Sequence, residues 1–231
     1  MITRRDFIAD GSKIAAGAIG LMALGGAISL PTMAHAAKVV FPEPSCSQGG
    51  GMNKKVLIAY ASMSGSTGGV AEAIGQTFCN SGATVDVRLI GNVRELDSYD
   101  AVVVGSAVRS DNWLPEAKKF VETNRDALAK APVAYFLTCL TLVNPAEGAR
   151  RKALAFLNPV LNDAPEVKPV DIGLFAGTLD YGKLSWMVRL VMKQKMKDKG
   201  ISEGDYRDWD DIRSWAAGLR SSLLGAEAKA S

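Results

Sequence analysis

The stretch VLIAYASMSGSTGG, residues 56–69, decides how this chain is expected to fold. Its first five residues form a continuous apolar run, which is typical of a β-strand buried on both faces of a sheet. The strand leads into a loop, residues 62–67, that carries three serines, one glycine and one threonine but no charged side chain. Apolar residues at positions 70, 74 and 78 then recur at four-residue steps, which predicts a helix after the loop.

A loop of this kind favours an anion as its ligand. Backbone N–H groups in a tight turn converge on one point, and the N terminus of the following helix adds about half a positive charge. Further hydrogen-bond donors are the hydroxyls of Ser62, Ser64, Ser66 and Thr67. No lysine or arginine lies in the loop, so dipoles alone would hold a phosphate. The alternative is an ordinary turn that caps the helix.

Strands alternate with helices along the rest of the chain. Further strands are predicted at residues 84–90, 101–106, 133–138 and 171–177. Further helices are predicted at residues 114–121, 147–161, 183–198 and 208–223. This alternation predicts an α/β fold, a doubly wound five-stranded parallel sheet with helices on both faces. The second strand alternates apolar and polar residues, so we expect it at an edge and the strand order 2-1-3-4-5. Ligands of such sheets bind beyond the carboxyl ends of strands 1 and 3.

The N terminus resembles an export signal rather than part of the fold. Arg4 and Arg5 precede an uncharged segment, residues 14–34, and small residues at positions 34 and 36 suit a signal peptidase. Residues 1–36 are therefore interpreted as a twin-arginine signal peptide, with an uncleaved membrane anchor as the alternative. The remaining chain is divided into a flexible linker at 37–53, one domain at 54–226 and a disordered tail at 227–231.

Composition restricts the chemistry. A chain of 231 residues with 48% apolar residues can bury one good core, and a net charge of +3 is too small to indicate nucleic-acid binding. The only histidine, His35, lies in the signal peptide, so histidine catalysis and histidine metal sites are not expected in the mature chain. The three cysteines lack metal-binding spacing. Cys79 and Cys139 are interpreted as small buried apolar residues, and Cys46 as part of the linker.

Several of these segments resemble a known family. The loop sequence YASMSGST, followed by Ala71, resembles the phosphate loop of flavodoxins, in which hydroxyl-bearing residues wrap the phosphate of FMN. The resemblance runs from Lys54 to about Leu224. The segments YDAVVVGSAVRSDNWLPEAKKFV, LFAGTLDYGKLSWMVRLVMK and GDYRDWDDIRSWA look like one branch, the menaquinone-dependent protoporphyrinogen oxidases. The long insertion after the fifth strand is the specific part of this likeness.

The resemblance implies FMN as cofactor and assigns its site. The phosphate would be held by Ser62, Met63, Ser64, Gly65, Ser66 and Thr67. The flavin ring would be lined on one side by Ser106, Ala107, Val108, Arg109 and Ser110, and on the other by Thr138, Cys139, Leu140 and Thr141. Asp180 and Tyr181 would border the opening. Trp113 would stack on the ring or, alternatively, pack at a helix start. No catalytic residue and no metal ligand is assigned.

Arg109 bears on the direction of electron flow. Low-potential flavodoxins surround the flavin with negative charge, whereas a cation favours the reduced anionic form. At 4 Å and an effective dielectric of about 20, two unit charges interact by about 4 kcal/mol, and about 1.4 kcal/mol shifts a two-electron couple by about 30 mV. Arg109 therefore favours a flavin that accepts electrons from an organic substrate or passes them to quinone. The alternative is that Arg109 points to solvent or pairs with Asp111.

Three functions remain open at this point. The first is a periplasmic FMN oxidoreductase or electron-transfer protein, exported folded by the twin-arginine translocase with its flavin bound. The second is an FMN-dependent protoporphyrinogen oxidase with menaquinone as acceptor. The third is a flavodoxin-like binding module without flavin. A redox protein or a quinone is the expected partner of the first two, and the natural donor, the acceptor and the oligomeric state are left open.

The segment KLSWMVRLVMKQKMKDK, residues 183–199, carries six cations and one acid. An apolar stripe is predicted at Leu184, Met187, Val188, Val191 and Met192, with Trp186 at its border. A basic amphipathic helix of this kind can lie on an anionic membrane surface, where quinone is dissolved. The alternative is an ordinary crossover helix whose stripe packs on the sheet and whose lysines are solvated.

Overall fold

A largely parallel sheet forms the centre of the protein. The computed structural model describes residues 39–47, 53–144 and 146–225, so the predicted signal peptide and C-terminal tail lie outside the described residues. The strands are β1 Ser45–Cys46, β2 Lys55–Ala61, β3 Thr84–Leu89, β4 Ala101–Arg109, β5 Asn112–Trp113, β6 Val133–Cys139, β7 Ile172–Ala176, β8 Thr178–Leu179 and β9 Gly204–Asp205. The helices are α1 Ser66–Asn80, α2 Pro115–Thr123, α3 Arg125–Leu128, α4 Ala149–Ala155, α5 Asn158–Asp163, α6 Trp186–Asp198 and α7 Trp209–Leu224.

The strand order confirms the predicted topology. The main sheet runs β1-β3-β2-β4-β6-β7, and its five long strands are parallel to their neighbours and stand in the order predicted from the sequence. The short strand β5 folds back on the end of β4, and β8 pairs with β9 in a separate ribbon. The alternation of strands and helices explains the arrangement, because parallel neighbours require helical crossovers.

Apolar clusters cover both faces of the sheet. Residues 56–61 of β2 are all buried, as the continuous apolar run predicts. Helices α1 and α7 pack on one face, where Ile58 contributes to the core, and α2, α4 and α5 pack on the other, where Leu57 does. The carboxyl ends of β2 and β4 therefore open at the same edge of a rigid two-sided core, and the loop at residues 62–67 lies at that edge.

The predicted helix at residues 147–161 is two short helices. Helix α4 ends at Ala155 and α5 starts at Asn158, with Pro159 in its first turn. Proline lacks an N–H group and its ring clashes with the carbonyl four residues earlier, so a continuous helix cannot pass through this position.

Part of the predicted linker belongs to the fold. Residues 39–47, here called the N-terminal arm, run along the sheet, and Ser45–Cys46 pairs antiparallel with β3. Arg88 donates to the carbonyl of Glu43, and the Leu89 N–H donates to the Glu43 carboxylate at 2.8 Å. The expectation that the second predicted strand lies at the edge is therefore corrected, because the arm adds a strand outside it. The apolar and polar residues of β3 alternate because one face of this strand is covered partly by polar contacts.

A disulfide joins the arm to α1. Cys46 and Cys79 are bonded with their Cα atoms 6.3 Å apart, whereas Cys139 is free and buried. The interpretation of Cys79 as an unpaired apolar residue is corrected, although its side chain is buried. An odd cysteine count did not indicate this pair, which depends on β1 bringing Cys46 back alongside β3 beneath the end of α1.

We expect the substitution Cys46→Ser to lower the free energy of unfolding by about 3–4 kcal/mol, the entropy of closing a loop of this size. The sequence separation is 33 residues, so the unfolded chain gains many conformations when the bond is lost. Urea unfolding with and without a thiol reductant provides the measurement. Reduced wild type should match the variant, and a variant as stable as the oxidised wild type would contradict the prediction.

Candidate functional site

A cavity of about 410 Å³ lies beyond the carboxyl ends of β2, β4 and β6. We call it the loop cavity, since Met63, Ser64 and Ser66 form one of its sides. Two further sides are the ends of β4 and β6, and the fourth comes from residues 177–192. Ten predicted site residues line it: Met63, Ser64, Ser66, Ala107, Val108, Arg109, Thr138, Cys139, Leu140 and Asp180. An adjoining hollow of about 420 Å³ lies on the other side of Gly65 and Ser66.

A larger hollow of about 570 Å³ lies elsewhere, between α4, the end of β7 and the start of α7. It contains neither the hydroxyl-rich loop nor the end of β4. The loop cavity is therefore the better candidate, because it stands at the point where the strand order reverses.

The loop leaves the N terminus of α1 open. Gly65 precedes the helix in a left-handed conformation with φ +82°, and no side chain caps the first turn. The first turn carries no acidic residue either. Its first N–H groups have no acceptor within the helix, and together with the helix dipole they suit an anion. Ser62 does not line the loop cavity, and its Oγ accepts the Gly65 N–H at 3.0 Å, which leaves its hydroxyl proton free to donate.

The N-terminal arm lies directly against this loop. A Cβ atom at Gly65 would stand 2.6 Å from the carbonyl oxygen of Val40, and one at Gly68 would stand 2.8 Å from Cδ of Pro42. The Tyr60 hydroxyl donates to the Pro42 carbonyl at 2.9 Å and so fixes the arm to the end of β2. Both glycines are needed for this close approach. Nothing in the local sequence pattern indicated that the arm reaches the loop.

Arg207 is a functional candidate that the sequence analysis missed. Its Nη1 donates to the Ser66 carbonyl at 3.1 Å, and its guanidinium stacks on Trp209 at 4.3 Å. Asp205 pairs with it, and hydrogen bonds from Arg207 hold the pKa of the Asp205 carboxyl below its usual range. Backbone dipoles are therefore not the only source of positive potential at the loop, although Asp205 offsets much of the positive charge that Arg207 adds. The segment GDYRDWDD could have pointed to it, but only the fold places it beside the loop.

Arg109 stands at the rim of the loop cavity, exposed to solvent. Its Nη1 lies 3.9 Å from Sδ of Met63, and no carboxylate lies within 4.0 Å of it among the described residues. The predicted alternative of a pair with Asp111 is not observed. Asp111 and Ser110 instead have φ of +60° and +50° and form the tight turn between β4 and β5.

Two predicted site residues, Ser106 and Trp113, have structural roles. Ser106 is fully buried, and its Oγ accepts the Leu114 N–H at 3.0 Å and donates to the Ala107 carbonyl. Trp113 is only 4% exposed and meets Tyr135 edge to face, with ring centroids 5.3 Å apart. The prediction that Trp113 stacks on a ring in the cavity is therefore corrected, because Trp113 packs at the helix start.

Two more predicted residues lie beside the loop cavity and not on its wall. Thr141 belongs to a single 3₁₀ turn, residues 140–142, and faces a separate hollow. Tyr181 packs in a small cluster with Leu179, under Nζ of Lys193 at 5.5 Å. Lys183 lines both the loop cavity and the adjoining hollow beside Gly65 and Ser66, and it pairs with Asp180 at 3.5 Å.

The wall formed by β6 presents uncharged groups to the cavity. Thr138 pairs with Thr67 through their hydroxyl oxygens at 2.8 Å, and both residues are buried. Burial raises the pKa of the neighbouring Cys139 thiol, so this group remains protonated near neutral pH. Thr67 thus ties the first turn of α1 to the end of β6.

We expect Thr67→Val to destabilise the fold by about 1–3 kcal/mol, because it leaves the buried Thr138 hydroxyl without its partner. The double variant Thr67→Val with Thr138→Val should recover part of that loss, since no buried hydroxyl is then unpaired. Urea unfolding of the two single variants and the double variant gives the coupling energy. Additive losses would mean that the two hydroxyls do not support each other.

The flavodoxin domain family model matches residues 57–204, which include every residue that lines the loop cavity but not Asp205, Arg207 or the N-terminal arm. Protoporphyrinogen IX dehydrogenase [quinone] of Escherichia coli K12 is 25% identical over 169 residues, covering 70% of this chain and 92% of that protein. The protein of the same name from Leishmania major is 24% identical over 172 residues, 71% and 73% of the two chains.

Solved structures are similar to this chain at lower identity. A short-chain flavodoxin associated with a bacterial microcompartment has a TM-score of 0.47 at 13% identity, over 74% of this chain and 99% of its own. A flavoprotein of Lactobacillus acidophilus in complex with FMN has a TM-score of 0.39 at 17% identity, over 52% and 93%. The family model covers well over half of the residues, and so the chain belongs to the flavodoxin domain family.

Proposed function

We propose that this protein is an exported FMN-dependent redox protein that passes electrons between an organic donor and a quinone. The observation that carries the proposal is the loop cavity, in which an uncapped helix N terminus meets a mostly apolar slot between the ends of β4 and β6. A phosphate suits the first feature and a flat aromatic ring suits the second. The match of the flavodoxin domain model to residues 57–204, which include every residue that lines the loop cavity, supports this choice.

The residues present fit such a cofactor. The backbone of residues 64–67, with the hydroxyls of Ser64 and Ser66, would take the phosphate, and Gly65 supplies the backbone turn that only glycine adopts readily. Residues 107–109 and 138–140 would flank the ring. Bound FMN supplies one-electron and two-electron transfer, which the side chains of this site cannot perform. The protein's part is to bind, to orient and to set the local charge.

The charges around the cavity favour a flavin that accepts electrons. Arg109 is at the rim without a carboxylate partner among the described residues, and a cation there stabilises negative charge on a reduced ring. Asp180 is on the opposite side, but Lys183 offsets its charge. Burial raises the pKa of the Cys139 thiol, so this residue adds no negative charge beside the ring.

Export is proposed from the N-terminal pattern alone. The twin arginines and the small-residue cleavage site at residues 34–36 support transport of the folded protein to the periplasm by the twin-arginine translocase. An FMN held without a covalent bond would travel inside the folded chain, which agrees with that route.

A second candidate is oxidation of protoporphyrinogen with a quinone as acceptor. It is favoured by the two relatives of that name, each aligned over about 70% of this chain. Anaerobic mixing of the flavin-loaded protein with protoporphyrinogen and a menaquinone analogue separates the candidates. Bleaching of the flavin by protoporphyrinogen and its recovery on adding the quinone would support the second. If protoporphyrinogen does not bleach the flavin, but a quinone restores the colour of the chemically reduced flavin, the result would support the first candidate alone.

We expect the purified protein to take up one FMN and to bind FAD more weakly, because the loop encloses a terminal phosphate. Gly65→Ala should weaken FMN by about tenfold or more, since a side chain at φ +82° costs about 1–2 kcal/mol and its Cβ would meet the Val40 carbonyl. Gly91→Ala is the matched control, with nothing within 4 Å of the added Cβ. Visible spectra and calorimetric titration with FMN give the measurement. A protein that stays colourless and shows no heat of binding would refute the proposal in favour of a flavin-free module.

We expect Arg109→Glu to lower the flavin midpoint potential by about 20–40 mV, because reversing an exposed charge adds about 1–2 kcal/mol of repulsion to the reduced ring. Lys130→Glu makes the same reversal at the opposite edge of the sheet, before β6, and should leave the potential unchanged. Redox titration of the three proteins decides it. Equal potentials would mean that solvent screens Arg109 from the ring.

A further inference from the structure

Helix α6 carries two apolar stripes. Val188, Met192 and Met196 recur every four residues, and this stripe faces inward: Met196 is buried, and the other two line the loop cavity. An ordinary crossover helix needs only such a stripe. The predicted single stripe is therefore corrected, because Met187 and Val191 do not belong to it.

The second stripe has no cover in the described structure. Trp186 is 76% exposed, Leu190 69%, Met187 62% and Val191 58%. Their spacing of one, four and five residues places them on one side of the helix, away from Met196. They are four of the nine large apolar side chains that are exposed among the described residues, and Val188, which is 43% exposed at the border between the two stripes, is a fifth. Concentration on two helical turns marks an interaction surface, since scattered apolar residues would need no explanation.

Charge accompanies this surface. The C-terminal half of α6 and its cap carry Lys193, Lys195, Lys197 and Lys199, against Asp198 as the only acid. None of Lys195, Lys197 and Lys199 lies within 4.0 Å of a carboxylate among the described residues, so their charge is available to a partner. The partner must therefore offer an apolar interior and negative charge beside it.

We propose that the outward face of α6 docks on an anionic lipid bilayer. Thirteen residues give a helix about 20 Å long, too short to span a bilayer, and no helix of the described ranges is long and apolar enough to do so. Such a helix lies in the interface, with its apolar side chains about 5–10 Å deep and its tryptophan among the headgroups. Lysines of the last turn meet the lipid phosphates. A second copy of the chain fits less well, because α6 offers one carboxylate to match its own cations.

The placement of α6 gives docking a consequence for the site. Val188 and Met192 line the loop cavity from the same helix whose opposite side would enter the bilayer. An apolar electron acceptor dissolved in the membrane would then meet the cavity without crossing bulk water. The docking itself does not depend on FMN, so its test and the test of the proposed function fail separately.

The test uses the full-length chain and brominated lipid vesicles, whose bromine atoms quench tryptophan within the bilayer. The first vesicles contain equal parts of phosphatidylcholine and phosphatidylglycerol, and the second contain phosphatidylcholine alone. The difference in quenching between wild type and Trp186→Phe reports Trp186 alone, whatever residues 1–38 do. We expect Trp186 to be quenched by the anionic vesicles and to be released at high salt.

Two double variants of α6 and one control double variant locate the interaction. The change of Lys195 and Lys197 to Gln should weaken anionic vesicle binding through Trp186 by about tenfold or more, because each cation near the surface contributes about a factor of five. The control changes the exposed Lys119 and Lys130 to Gln and should leave vesicle binding unchanged. Leu190→Gln with Val191→Gln should abolish the quenching while the far-ultraviolet dichroism stays the same. Quenching that is absent in wild type, or equal in all variants, would overturn the proposal, as would a dimer in solution that dissociates on Leu190→Gln.

Discussion

The parallel pairing of β2 with β3 on one side and β4 on the other is the constraint on which the rest of the structure depends. Tyr60 and Ala61 at the end of β2 stand opposite Gly105 and Ser106 of β4, so the two strand ends open side by side. Helix α1 must start immediately beyond β2 to reach its place on the sheet, and its N terminus therefore faces the same opening. The position of the loop and the direction of the helix dipole follow from that one register, and the slot follows from the parallel pairing of β4 with β6 beside it.

The sequence predicted those parts of the molecule that local pattern controls. The apolar run at residues 56–60 and the alternation at residues 84–90 identified the two strands correctly. A strand that is buried on both faces has a continuous apolar run, and a strand that is buried on one face alternates apolar and polar residues. The loop was found because small hydroxyl-bearing residues between a strand and a helix have few other uses. Ten of the predicted residues line the cavity because they lie at the ends of strands or shortly after them, and the apolar pattern set the positions of those strands.

What the sequence did not predict depends on contacts between distant segments. Cys46 and Cys79 meet only because the arm returns along β3, and Arg207 reaches Ser66 across 141 residues. Trp113 illustrates a different difficulty: its position after β4 suited both a cavity wall and a core, and the turn at Ser110 and Asp111 sends it into the core. The two stripes of α6 were merged for a similar reason, since apolar spacing does not tell which side of a helix has a neighbour.

The bond between Cys46 and Cys79 has a topological consequence. It closes a covalent ring that contains all of β2, the loop and all but the last residue of α1. A single peptide bond cut inside that ring leaves one connected molecule, so the strand and helix that build the site cannot diffuse apart. Tension applied to the chain before Cys46 is likewise carried across the sulfurs to the end of α1. The loop at residues 62–67 thus does not carry that tension, and a cut within it does not separate β2 from α1, because of a bond that none of its own residues makes.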